Sequence, residues 1–460
     1  MPIPSAEIIS RFGAATPSYT SYPTADRFVT AFAAEQVSQA LVQRQHGAAA
    51  TVLPLSVYLH IPFCESLCHF CARTKMVTTH HAHGQTYLRY LSREMDLHTR
   101  HLGLGQRVCQ VHLGGGSPTF LSDGELRELM QMLQRNFFLA PDGEYSIEVD
   151  PRTVDATRLG TLAGLGFNRL SFGVQDFDAA VQQAVHRIHP AGQVFALVDA
   201  ARSIGFKSVK LDLMLGLPRQ TPESFDSTLE QTIRLQPDRI ALHAYTHLPE
   251  QFKPQRRIAP AELPTEGARR LMRSRALLAF QSAGYMHVGM DYFALPKDAL
   301  AVAKRQGRLH RSFQGYSTQP NGDLVSLGVS AIGRIGASYS QNAQSLEAYY
   351  DCLDQGRLPV VRGLALTRDD LVRRSVIMAL ICQGQLEFES IELAHLIDFK
   401  SYFSAELTLL QGLQAQGLVE VGGAELQITD VGWYFARNVA AVFDRYLQAD
   451  RAREKLSRII

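Results

Sequence analysis

The chain has 460 residues, a formal net charge of +2, 46% hydrophobic residues and 20% charged residues. That is room for one large domain plus one or two smaller ones with a sizeable core, within the range of soluble globular proteins. It excludes a global electrostatic case for nucleic acid, and no apolar run approaches the roughly 18 residues of a membrane span.

The opening "MPIPSAEIISRFGAATPSYT" lacks a charged segment followed by an apolar one, so no secretory leader is expected. The expected compartment is the cytoplasm, where thiols stay reduced. Residues 1–50 read as an extension: "TPSYTSYPTADRF" is turn-rich and aromatic, and a helix follows around "AEQVSQALVQRQ". From about residue 55, short apolar runs alternate with longer helical patterns, as in βα units of a parallel sheet. "LSVYLHI" is the first strand, followed by a cysteine-bearing loop and a helix through "TYLRYLSREMDLHTRHL". "VCQVHLGGG" is a strand ending in glycines, and "DGELRELMQMLQRNF" is its helix. "EYSIEVDP" and "RLSFGVQ" are strands three and four, each followed by a helix with a glycine stop, "DATRLGTLAGLG" and "VFALVDAARSIG". "SVKLDLMLGLP" leads into "TPESFDSTLEQTIRL", which has a Thr-x-x-Ser start, and "RIALHAY" is the sixth strand.

Six such units with right-handed crossovers make either a curved, incomplete barrel or a doubly wound sheet. In parallel sheets of this kind ligands collect at the carboxyl ends of the strands. The cysteines, the glycine run, Glu148, Gln175, Asp212 and Tyr245 all fall at or near those ends, which favours a single site. From about residue 365, "TRDDLVRRSVIMALICQG", "FSAELTLLQGLQAQGLVEV" and "LQITDVGWYFARNVAAVF" read as helices, a short hairpin and a helix. This winged-helix-like pattern is expected to be a packing domain without a nucleic-acid role, given the weak overall charge.

Of six cysteines, Cys109, Cys352 and Cys382 are scattered and read as small buried hydrophobes. Cys64, Cys68 and Cys71 stand together in "YLHIPFCESLCHFCARTK", spaced C-x3-C-x2-C directly after the first strand. Zinc with three cysteines and a nearby histidine, His60 or His69, is one reading, although no second pair follows at zinc-knuckle distance. The other is a 4Fe–4S cube held through three irons, with the fourth open to a substrate or cofactor.

C-x3-C-x2-C is also the signature of radical S-adenosylmethionine (SAM) enzymes. It is joined here by "GGGSPTFL", "IEVDPRT", "GFNRLSFGVQDF", "DLMLGLPRQT", "MDYFALPKDAL" and "LHRSFQGYSTQ". Together these segments resemble the oxygen-independent coproporphyrinogen III oxidase (coproporphyrinogen dehydrogenase) family, from "PSYTSYPTADRF" to the closing "LSRII". The resemblance implies an α/β fold built on an incomplete (βα)6 radical SAM barrel. The expected parts are an N-terminal extension (1–50), the partial barrel (51–295), a connecting segment over the active site (296–364) and a mainly helical, winged-helix-like C-terminal domain (365–460). The implied reaction is oxidative decarboxylation of two propionates of coproporphyrinogen III to vinyls, giving protoporphyrinogen IX in haem biosynthesis. The implied cofactors are a 4Fe–4S cluster and two molecules of SAM. The implied partners are the porphyrinogen and an electron donor such as flavodoxin or ferredoxin, with a monomeric protein and no nucleic acid or membrane.

Carried onto this chain, the resemblance makes Cys64, Cys68 and Cys71 the cluster ligands. It places Tyr58, Gly115, Glu148, Thr246 and Ile332 around the SAM on the cluster. Around the second SAM it places Phe70, Gly116, Ser117, Gln175, Arg187 and Asp212. The run Gly114–Gly116 removes side chains where a ligand's charged end approaches backbone N–H groups. A tetracarboxylate substrate calls for guanidinium groups, for which Arg256, Arg257 and Arg311, with His310, are candidates. The chain departs from the family pattern at Arg73, where a fourth cysteine is usual. Arg73 cannot act as an acid; with Tyr58 it is a candidate catalytic residue, expected to pair with a propionate or a SAM carboxylate. Ser18, "ALHAYTHLP" and Tyr292 depart too. These departures leave two alternatives: a radical SAM paralogue acting on haem or another tetrapyrrole, and a haem-binding, chaperone-like relative.

Overall fold

In the computed structural model, the described residues are residue 8 and residues 17–47, 53–319 and 322–457. Residues 1–7, 9–16 and 48–50 of the expected extension, and 458–460 of "LSRII", lie outside them. The six expected strands form: β1 Leu55–Ile61, β2 Gln106–Gly115, β3 Phe137–Val149, β4 Arg169–Gln175, β5 Ser208–Leu215 and β6 Arg239–Ala244. They lie side by side, parallel, in sequence order. A doubly wound sheet reverses its strand order part-way. This one does not, so right-handed crossovers carry every helix to the same face and the sheet curls into an open barrel.

Period-two alternation sorts the side chains between the two faces. In β5, Val209, Leu211 and Leu213 are buried under the helices, while Lys210 and Asp212 face inward. The same alternation turns Tyr58 and His60 of β1, His112 of β2 and Glu148 of β3 to the inner face. The helices that cover the sheet start and stop where the sequence indicates. Ser122 and Glu125 form a capping box on Asp123–Asn136, Thr221 and Ser224 form one on Pro222–Leu235, and Gly205 ends Ala191–Ile204 in the left-handed conformation.

Residues 296–364 are more than a connection. Leu324–Leu327 adds a seventh parallel strand beside β1, and Ile332–Ile335, Ser338–Asn342 and Val360–Ala365 continue the sheet antiparallel. Tyr292–Ala294 and Met286–Gly289 extend the other edge. These strands are short and interrupted by glycine and serine, so no clear alternation marks them in the sequence. Beyond them, the helices Arg368–Gln383, Phe388–His395 and Ser404–Gln414 pack around a three-stranded sheet that includes the hairpin Val419–Val421 and Glu425–Ile428. Their core takes in Tyr19 and Tyr22, and the Tyr19 hydroxyl donates to Asp444 at 3.1 Å. Cys109 and Cys382 are buried, as expected of small apolar side chains, whereas Cys352 is only half-buried; all three are free.

Glu94, fully buried on the helix Ala82–Leu102, ties the added strands to the barrel. It accepts from Gly328 N–H (2.7 Å), Asn342 Nδ2 (2.6 Å) and the Tyr349 hydroxyl (2.6 Å). Replacing it by alanine is expected to cost about 3 kcal/mol in urea unfolding; a loss under about 1 kcal/mol would contradict this role. Burial also pushes the Glu94 carboxyl up to about 7. A folded value above the unfolded one means that its stabilisation is complete in acid and falls as pH rises through about 7. Glu94→Ala should flatten that part of the stability profile.

Candidate active site

Two cavities, of about 1260 and 510 Å³, are lined by residues at the carboxyl ends of the barrel strands. They share a wall that includes Arg73, Glu148, Asp212, His243, Tyr245 and Thr246. The three clustered thiols line the smaller one. Cys64 sits in the two-residue strand Phe63–Cys64, whose pairing with Met76–Val77 pins the cysteine loop at both ends. Within the loop, Cys71 N–H donates to the Cys68 carbonyl at 3.3 Å. Burial, with Cys71 and Cys68 alongside, pushes the Cys64 thiol up to about 12. Three neighbouring thiolates therefore need cationic charge between them, which the irons of a cluster supply. Arg187 Nη1 and Arg152 Nη2 reach Cys68 Sγ at 3.4 and 3.6 Å, and Asp150 holds both guanidinium groups.

The histidines that could complete a zinc site are committed elsewhere. His60 contacts the Tyr58 hydroxyl through Nδ1 (3.2 Å) and the Thr74 carbonyl through Nε2 (3.0 Å). His69 stacks on His186 and contacts the Ala184 carbonyl at 3.2 Å. Among the described residues no three His, Cys, Asp or Glu side chains converge on a point that could hold one ion. Three thiols that each bind a different iron of a cube need not converge, and the donor set fits that group. On the same cavity, Gln175 has φ of 71° and its Oε1 is buried without a partner, an acceptor left for a ligand.

The wall between the cavities is electrostatic. Arg73 Nη1 donates to Glu148 Oε2 at 2.9 Å and Oε1 at 3.2 Å. His112 Nε2 and Gly115 N–H approach the same carboxylate, each at 3.4 Å. Burial works against ionisation, but Arg73 and His112 hold Glu148 well below the usual carboxylate range. Arg73, expected to pair with a ligand carboxylate, thus has an anion of the chain itself beside it, which strand alternation puts there. Asp212 is built in the same way. Burial opposes its charge, yet Lys210 at 3.0 Å, His243 at 3.6 Å and Ser171 at 2.5 Å keep it strongly acidic.

The glycine run also makes room inside the chain itself. A Cβ on Gly114 would lie 3.0 Å from the Glu148 carboxyl carbon, and one on Gly115, where φ is 116°, would lie 2.8 Å from the His60 ring. The N–H groups of Gly115, Gly116 and Ser117 are engaged within the chain, by Glu148, Ile61 and Phe63. The glycines let the chain's own polar side chains close in.

The structure brings the expected site residues together around the two adjoining cavities. Phe70, Gly116, Ser117, Gln175, Arg187 and Asp212, expected around the second SAM, share the smaller cavity with the cysteines. Of the set expected on the cluster, Gly115 lines that cavity, Glu148 and Thr246 line both, and Tyr58 and Ile332 line only the larger. Tyr58 stacks on His112 with ring centroids 5.9 Å apart, as their pairing across β1 and β2 dictates. Ser18, Arg73, His243, Tyr245 and Tyr292, the departures from the family pattern, all line the larger cavity. Arg256 and Arg257 do not; Arg256 turns outward to the Pro249 carbonyl and Glu250. His310 stays off that wall, whereas Arg311 is on it.

With this geometry, the likenesses to known proteins are specific. The radical SAM superfamily model matches residues 58–232, and the HemN C-terminal domain model matches residues 366–435. The oxygen-independent coproporphyrinogen III oxidase of Pseudomonas aeruginosa is 45% identical over 99% of this chain and 98% of its own length. That of Escherichia coli is 43% identical over 98% of both. The chain belongs to the oxygen-independent coproporphyrinogen III oxidase family. A solved structure of the Escherichia coli family member, described as a radical SAM enzyme, superposes with a TM-score of 0.89 at 43% identity, over 93% of this chain and 97% of that one. Family membership thus takes in the C-terminal domain, whose residues Trp433–Asn438 close one side of the larger cavity.

Several residues of the site escape a reading by motif. Asp150 and Arg152 lie within "IEVDPRT", but nothing local to that segment points to Cys68. Lys210 and His243 follow from the inner-face alternation of β5 and β6 once Asp212 is placed. Arg269 and Arg273, one helical turn apart on Glu266–Ser282, could have been paired by their spacing, whereas Arg437 arrives from the C-terminal domain without a sequence signal.

Two outcomes follow from the wall and the loop. Arg73→Ala and Glu148→Ala should be non-additive by about 1 kcal/mol at neutral pH in denaturant unfolding, since Arg73 is partly open to the cavity. Glu148 ionises more readily folded than unfolded, so this coupling should vanish as acid protonates it; purely additive losses at neutral pH would count against the pair. Arg152→Gln removes a cation and a donor at Cys68 and should lower the midpoint potential of a reconstituted cluster by on the order of tens of millivolts. An unchanged potential in a redox titration would contradict that contact.

Proposed function

We propose that this chain carries out the oxygen-independent oxidative decarboxylation of two propionates of coproporphyrinogen III, yielding protoporphyrinogen IX in haem biosynthesis. The observation that carries this reading is full-length identity to the oxidases, with three free thiols on a pinned loop beside a cavity of about 1260 Å³. That volume exceeds most small-ligand pockets and suits a tetrapyrrole. The family's cofactors are a 4Fe–4S cluster and SAM, which together supply the one-electron chemistry that removes hydrogen from an unactivated carbon.

The chain's own residues position and insulate that chemistry. Cys64, Cys68 and Cys71 hold the cluster, and Arg152 and Arg187 complement the charge at Cys68. The cavity they share supports assigning the SAM on the cluster to Phe70, Gly116, Ser117, Gln175, Arg187 and Asp212, the reverse of the expected sets. Tyr58, Glu148, Thr246 and Ile332, which line the larger cavity, then serve a second SAM, with Gly115 reaching that group from the smaller cavity's side through Glu148. Arg73 keeps Glu148 ionised and in place rather than moving a proton. An electron donor of the flavodoxin or ferredoxin kind, a monomeric state and a cytoplasmic location complete the proposal. Among the described residues, no helix is long and apolar enough to cross a membrane.

The anaerobic assay of the reconstituted chain with SAM, a reductant and coproporphyrinogen III decides the substrate. The expected result is 5′-deoxyadenosine together with vinyl-bearing product, both abolished by alanine at any of the three cysteines. Deoxyadenosine without vinyl product would reject the oxidase reading and leave a paralogue acting on another tetrapyrrole.

A further inference from the structure

Cations crowd the larger cavity, and their partners separate them. Arg73 holds Glu148, and Lys210 holds Asp212. Arg270 faces Glu266 at 3.7 Å, while Arg273 and Arg437 share Asp291. Arg269 Nη2 donates to the Tyr245 carbonyl at 2.6 Å. Arg311 is different. It is only 7% exposed, and its Nε and Nη1 are buried without a hydrogen-bond partner. Among the described residues no carboxylate forms an ion pair with it: Asp291 on the same wall acts on it only at longer range and is held by Arg273 and Arg437.

Arg311 is nonetheless held in position. It lies on the hairpin His310–Ser312 and Gly315–Ser317, opposite Tyr316, with its guanidinium carbon 4.7 Å from that ring's centroid. Tyr316 packs edge-on to Tyr292 at 5.4 Å, and Tyr292 edge-on to His243 at 6.2 Å. This aromatic row runs from the wall shared by both cavities out to Arg311. Burying a guanidinium without a hydrogen-bonded counter-charge is costly. Such a cost is tolerated where a ligand brings the anion, and the forked guanidinium matches a carboxylate.

We propose that Arg311 anchors one substrate carboxylate. Resting on the function proposed above, the anchored group is a propionate that is not reacting. Arg311 lines the larger cavity only, whereas the reacting side chain must reach the wall shared with the cysteine cavity. Of this row Tyr292 and His243 face the cavity and offer surface to the macrocycle, while the buried Tyr316 supports Arg311 from behind. Arg311 is therefore a specificity-determining residue: it selects an anionic periphery at a fixed remove from the site of reaction.

The test is a Soret titration of the full-length, cluster-free chain with coproporphyrin III, the stable oxidised form of the substrate, and with its uncharged tetramethyl ester. Arg311→Met should weaken binding of the acid about tenfold or more. It should leave the ester's affinity unchanged and not lower the melting temperature, because an unpaired buried charge is removed. Arg311→Lys should fall between. In the active enzyme, Arg311→Met should raise KM more than it lowers kcat, as loss of remote binding does. Binding of the acid within about twofold of wild type would overturn the proposal, as would equal losses for acid and ester with a lower melting temperature. If wild type converts the substrate and Arg311→Met changes nothing, only this proposal falls. If wild type neither binds coproporphyrin III nor converts the porphyrinogen, the functional reading falls with it.

Discussion

Six parallel strands laid down in sequence order force every crossover to the same side, and the rest of the molecule follows from that. The helices take the apolar side chains of one face. The opposite face inherits every second residue, and near the carboxyl ends those residues are Tyr58, His60, His112, Glu148, Lys210, Asp212 and His243. A polar interior in a parallel sheet is otherwise expensive, because such sheets are normally apolar on both faces. Here the charges meet in pairs, Glu148 with Arg73 and Asp212 with Lys210, so the wall is stable without a ligand and polar enough to receive one.

Glu148 is the joint of this arrangement. It is gripped by a residue of the cysteine loop, a ring from β2 and a backbone N–H of the glycine run. The cluster loop and the larger cavity are therefore mechanically and electrostatically coupled through one carboxylate. Arg73, where the resemblance leads one to expect a fourth cysteine, puts a permanent cation in place of a titratable thiol. That change removes a proton donor and adds a clamp. The other expected departures border the same space: Ser18 and Tyr292 line the larger cavity only, while His243 and Tyr245, like Arg73, stand on the wall that both cavities share.

Much of this was legible in the chain itself. Period-two runs and caps located the six strands and their helices, because a βα unit is a local pattern. The choice between an open barrel and a doubly wound sheet was not legible, since strand order is a long-range property. The strands between residues 324 and 365 were lost to brevity and to glycine. At the site, three cysteines on one loop were readable from spacing alone. The partners of Cys68, of Arg73 and of the glycine run were not, because each depends on which inner-face side chain stands on the neighbouring strand. That Glu148 and Thr246 border both cavities was not legible either, for the same reason. Arg311 could be suspected from "LHRSF" but not distinguished from Arg256 and Arg257, whose outward orientation appears only in three dimensions.

The central claim is that three cysteines, with the charges packed around them, hold a cluster whose remaining iron is reserved for SAM. Electron paramagnetic resonance of the anaerobically reconstituted and reduced chain tests it most directly. The account predicts the signal of a reduced 4Fe–4S cluster whose line shape changes when SAM is added. A colourless protein that takes up zinc at these cysteines, or a cluster signal indifferent to SAM, would contradict it.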